Sequence, residues 1–113
     1  MSVSFEGVGQ VCATFLGGKL TEGHVVKMTG NGTVGACAAD DAFCGAAICC
    51  KDDACTVQVG GFVTVGYTGT APGVGWKTLA ADGKGGVKTA GTDGVNRLVT
   101  DVDTTAKTVT ILL

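Results

Sequence analysis

The chain has 113 residues and a net charge of −2, and Gly supplies 20 residues while aromatic side chains make up 5% and charged ones 16%, against usual shares of about 7% Gly and about 25% charge. That length fits one domain, the 45% hydrophobic content excludes a disordered chain, and scattered lysines in a slightly acidic balance exclude the positive field that nucleic acids require. No stretch approaches about 18 consecutive apolar residues and MSVSFEGVGQ carries no signal-peptide pattern, so the reading is a chain made in the cytoplasm that does not cross a membrane.

Taken in chain order, the predicted elements are short strands separated by glycine. Gly17-Gly18 offers a first turn, and the apolar HVVKM stretch ends at Asn31-Gly32, a pair that tolerates the positive φ of a tight hairpin. Gly30, Gly32 and Gly35 spell a literal G-x-G-x-x-G followed by Asp52, but no amphipathic helix follows to receive a pyrophosphate, so the hairpin turn is the better account. Ala36 to Ile48 is Ala-rich and reads either as a short helix capped by Asp40 or Asp41 or, through FCGAAICC, as a buried strand of small side chains.

Period-two alternation is clearest from Cys55 to Tyr67, with Cys55, Val57, Val59, Val63, Val65 and Tyr67 on a core face and Thr56, Gln58 and Thr64 on the other. One strand of that length is uncommon, so Gly60-Gly61 predicts a bend or corner that divides it in two. TGTAPGVG, residues 68–75, holds the single proline and reads as an exposed loop, while Asp82-Gly83 and Asp93-Gly94 mark further turns. NRLVTDV and KTVTILL flank DTTA as a closing hairpin. The whole predicts an all-β fold, a small antiparallel β-barrel or sandwich of about eight to ten short strands with Gly-rich turns, as one domain over residues 1–113.

Candidate chemistry is sparse. The six cysteines read as small hydrophobes of a tight core, with disulfides and a zinc site on Cys44, Cys49, Cys50 and Cys55 as the rivals; C-x4-C-C-x4-C lacks the close C-x2-C knuckles of zinc motifs. His24 is the one histidine, read as a surface or strand-edge residue. Asp101 and Asp103 alternate onto one strand face, as a calcium pair would, but supply too few oxygens, and they read as solubilising charges. No nucleophile, base and oxyanion set assembles, so neither an enzyme nor a bound cofactor is expected. Trp76 reads as a core or loop-anchoring aromatic or, because it follows the Pro-Gly loop, as an interface anchor; Pro72, Val74 and Trp76 are the candidate partner-binding residues.

A short strand after Gly23, a G-x-A strand at Gly45 to Ala47, then VQVGGFVTV, a Pro-containing loop ending in Gly75 and DGKGGV before the final hairpin follow one another in a particular order. Over roughly residues 15 to 113 this order resembles the small head decoration, or capsid cement, proteins of tailed bacteriophages and prophages. The resemblance implies a non-enzymatic structural protein on the virion's outer capsid surface, bridging subunits of the major capsid protein and binding as trimers or repeated homo-oligomeric copies. It also implies capsid contact through the TGTAPGVGW stretch and an N-terminal segment, residues 1–14, that is mobile or capsid-contacting. A phage tail or baseplate component, a bacterial surface β module and a small Cys-rich metal-binding protein are the alternatives.

Overall fold

Strand-forming residues separated by glycine turns fold as the alternation predicts. The computed structural model describes residues 10–18, 20–91 and 94–113, and they form β1 (Val11–Gly17), β2 (Val25–Gly30), β3 (Thr33–Ala36), β4 (Gly45–Lys51), β5 (Ala54–Gly60), β6 (Phe62–Gly66), β7 (Gly75–Ala81), β8 (Val87–Thr89), β9 (Val95–Asp103) and β10 (Thr108–Leu112). No helix forms over Ala36 to Ile48; FCGAAICC becomes the approach to β4 and β4 itself.

The strands divide at the expected corner. Strands β1, β3, β2, β4 and β5 close into a five-stranded barrel, and β6, β10, β9, β7 and β8 form a second five-stranded sheet. Gly61, with φ of 83°, turns the chain from one to the other, a backbone conformation that a residue with a Cβ resists. Gln58 holds this corner from within. The alternation put it on the outer face, yet it is 3% exposed, because its Nε2 donates to Gly60 O at 3.0 Å and Phe62 O at 2.7 Å while its Oε1 accepts from Gln10 at 3.0 Å. A buried amide with such partners avoids the desolvation penalty of an orphan.

Not every pairing is antiparallel. Strand β1 lies parallel to β3, with Leu16 opposite Thr33 and Gly17 opposite Val34, and this pairing completes the barrel wall. The second sheet is antiparallel, but a parallel bridge between Tyr67 and Val87 ties the residue after β6 to β8, with Thr68 N donating to Val87 O. The backbones meet so closely there that a Cβ on Gly86 would lie 2.4 Å from Gly66 O. The two edge strands of the sheet therefore touch each other at this point, which protects them from pairing with foreign strands.

Strands β2 and β4 form a wall shared by both halves. Val25 and Ala46 face a core with Leu79, Val87, Val99 and Ile111 of the second sheet, while their neighbours Val26 and Ala47 face the barrel interior with Val34, Cys55 and Val57. At Val25–Val26 and Ala46–Ala47 both faces of these strands are buried, which is why these stretches are apolar without alternating. In the closing hairpin, Asp103 Oδ1 accepts the N–H groups of Thr105 and Ala106. The register slips between Thr110 and Ile111, so that Val102 opposes Val109 and Val99 opposes Ile111. This bulge at Thr100 shifts the strand's phase and sends Val99 and Val102, which strict alternation would set on opposite faces, toward the same core.

Candidate functional site

Cross-strand register assembles an apolar row on the outer face of the second sheet. Trp76 of β7 opposes Leu98 of β9, Leu98 opposes Leu112 of β10, and Leu112 opposes Phe62 of β6. Directly opposed residues share a face, and this face is the one away from the core, since Val99 and Ile111, next along β9 and β10, are buried. Trp76 is 64% exposed and Val74, two residues before it, 66%. Leu98, Leu112 and Phe62 are half-buried between their neighbours. Beside the row lie Thr64 and Thr110, whose hydroxyls meet at 2.8 Å, and Asp101, opposite Thr110. The arrangement is an apolar strip with a polar margin, the anatomy of a protein contact surface.

The sequence-derived contact residues separate here. Val74 and Trp76 are open to solvent, whereas Pro72 is buried within the loop. The loop exposes Thr70, Ala71, Gly73 and Val74 around it. Of the N-terminal segment 1–14, residues 1–9 lie outside the described residues, while Val11 to Thr14 pair with β5 as part of the barrel.

The cysteines are distributed differently from the free-thiol reading. Cys50 and Cys55, opposed on β4 and β5, form a disulfide, which takes two of the four zinc candidates. Cys49 is exposed and Cys44 half-buried, and among the described residues no group of three or more His, Cys, Asp or Glu is placed to hold a metal ion. Burial pushes the Cys37 thiol up to about 11, with Asp41 adding to the rise, and burial likewise raises Cys44. Thiols held protonated in this way are poor nucleophiles at neutral pH.

Asp41 accepts from Lys27 Nζ at 2.6 Å and from Ala38 N at 2.8 Å. The lysine bond foremost, then the backbone N–H, hold its carboxyl below the usual carboxylate range. This ion pair ties the 38–43 segment to β2. A second pair, Lys88 with Asp40 at 2.6 Å, ties the same segment to β8.

His24 is exposed and packs directly on Gly85, between clefts of about 260 and 230 Å³ that Lys84 also lines. The loop under it is ordered by Asp82, whose Oδ1 accepts from Lys84 N and Gly86 N. Asp101 and Asp103 lie exposed on the β9–β10 hairpin, with Asp103 occupied in its turn. Sequence reasoning missed Phe62, Leu98 and Leu112 as companions of Trp76, because nothing local signals that four strands will place them in line. The candidate site is therefore a surface, not a cleft. No family model matches the chain, and no curated protein matches it.

Proposed function

We propose that this chain is a structural adhesion protein that decorates a bacteriophage capsid, fastening to the lattice of the major capsid protein through the outer face of its second sheet. One observation carries the reading: a register-aligned apolar row, Phe62, Leu112, Leu98 and Trp76, with the exposed Val74 just before it in the chain, in a fold whose barrel is closed and whose sheet edges are tied by a bridge. A closed barrel and edge strands tied by a bridge limit strand addition, which leaves a sheet face as the better contact surface.

An exposed tryptophan at the end of an apolar strip is the residue type that dominates contact energies when a partner covers it. The order of turn and strand motifs that resembles the head decoration proteins points to the lattice as that partner. On a shell the contact repeats many times, and weak individual contacts then suffice. The localisation that follows is the virion surface, with copies arranged as homo-oligomers by the lattice.

Co-sedimentation with expanded shells of the cognate phage tests this reading. Wild-type protein pellets with the shells, and Trp76→Ala, at an exposed position where folding is little affected, remains largely in the supernatant. Wild-type protein that fails to bind expanded shells contradicts the proposal.

A further inference from the structure

We propose that Lys77 and Arg97 form a binding site for a carboxylate at the inner face of the second sheet, independent of the apolar row on its outer face. Register places Lys77 of β7 directly opposite Arg97 of β9, between the pairs Gly75–Val99 and Leu79–Val95. That is the core side: Leu79 and Val99 are buried, and Val95 packs against the same cluster. Two cations thus share the core side of one sheet, each half-buried. Like charges directly opposed across strands are destabilising.

Among the described residues, no acid pairs with either cation; the ion pairs there are Lys27 with Asp41 and Lys88 with Asp40. Arg97 Nη1 donates to Asn96 O at 2.9 Å, while its Nε is buried and has no hydrogen-bond partner among the described residues. A buried guanidinium N–H without an acceptor is costly and calls for one. The Lys77 ammonium lies beside Gly73 of the 68–74 loop, where even a Cβ would come within 3.6 Å of Nζ.

A carboxylate fits this pair. Its two oxygens match the planar edge of a guanidinium, with Nε as one donor, and the lysine adds a point charge from the facing strand. A single negative charge also loses less hydration than a phosphate dianion on reaching two half-buried cations beside the core. The ligand is either an Asp or Glu side chain of a bound protein or a free small acid.

Arg97 is the single arginine of the chain, so its Nε–H resonance identifies itself in a ¹⁵N spectrum. Titration at constant ionic strength with acetate, with N-acetyl-aspartate amide and with inorganic phosphate reads the site directly. A saturating shift of that resonance with either carboxylate, weakened about tenfold in Lys77→Met by loss of one charge, supports the proposal; stronger saturation by the blocked aspartate assigns the source to a protein side chain, and by acetate to a free acid. Saturation by phosphate alone, a shift that grows linearly with every anion, or equal binding by Lys77→Met overturns it. Arg97→Met removes an unpaired charge and keeps the fold; acetate raises the melting temperature of the wild type and leaves that variant unmoved, whereas an equal rise in both counts against the site. None of these outcomes depends on capsid binding.

Discussion

The barrel and the second sheet are built from the same short strands yet treat their apolar residues differently. The barrel has Val11, Leu16, Met28 and Ile48 exposed, but they are scattered: Val11 faces Gly60, Leu16 sits between Thr33 and Ala54, and Ile48 falls where the β4–β5 register slips. The sheet instead aligns the exposed Trp76 with the half-buried Leu98, Leu112 and Phe62 in one row. The interiors differ too, with Val, Ala and a Cys50–Cys55 disulfide in the barrel against Leu79, Ile111, Phe43 and Tyr67 beneath the sheet. The contrast teaches a division of labour in which a small-residue barrel gains rigidity from closure and a cross-link, and the sheet, with the larger core, carries the surplus apolar surface outward.

Variants that strike one half at a time sharpen this contrast. Ile111→Ala empties the fully buried centre of the sheet and is expected to cost about 4 kcal/mol in chemical denaturation. Calorimetry should still show a single transition, because β2 and β4 serve both cores; two resolved transitions break the shared-wall account. Gly86→Ala pushes a Cβ onto the Gly66 carbonyl and is expected to cost about 3 kcal/mol, with hydrogen exchange accelerated in β6 and β8 before the barrel. In the barrel, reduction of Cys50–Cys55 removes a short cross-link worth about 2 kcal/mol on loop-closure grounds, seen as a lower melting temperature in dithiothreitol; no change in melting temperature contradicts a stabilising disulfide.

The smallest effect concerns pH. Asp41 has its folded pKa lowered by Lys27 and the Ala38 N–H, so the pair's contribution is complete above the ordinary carboxylate range and is lost as pH falls through the lowered value. Both side chains are about one-third exposed, at 35% and 30%, so the effect is slight. Asp41→Asn should flatten the acid limb of a stability profile, and an unchanged limb would show that the pair contributes nothing measurable.

Much of the fold was legible because alternation and glycine turns are local. The division at Gly60-Gly61, the strand character of Cys55 to Tyr67 and the closing hairpin follow from residues within a few positions of one another. What stayed hidden depends on partners far along the chain. Period two says which residues share a face but not which strand will lie beside them, so the parallel β1–β3 pairing, the division into barrel and sheet and the Cys50–Cys55 bond were not readable. Gln58 looked like an outer residue because its acceptors lie across a corner, and the bulge at Thr100 changed a phase that alternation holds constant. Of the candidate site, Val74 and Trp76 were visible from their place after the Pro-Gly loop; Leu98, Leu112 and Phe62 join them only through register, and Pro72 is withdrawn from the surface by the loop's fold.

The most direct test is a cryo-electron reconstruction of expanded shells incubated with this protein. The expected result is density for the second sheet seated on the capsid subunits with Trp76 and Leu98 at the contact. Density in which the barrel touches the shell and Trp76 points into solvent would contradict it.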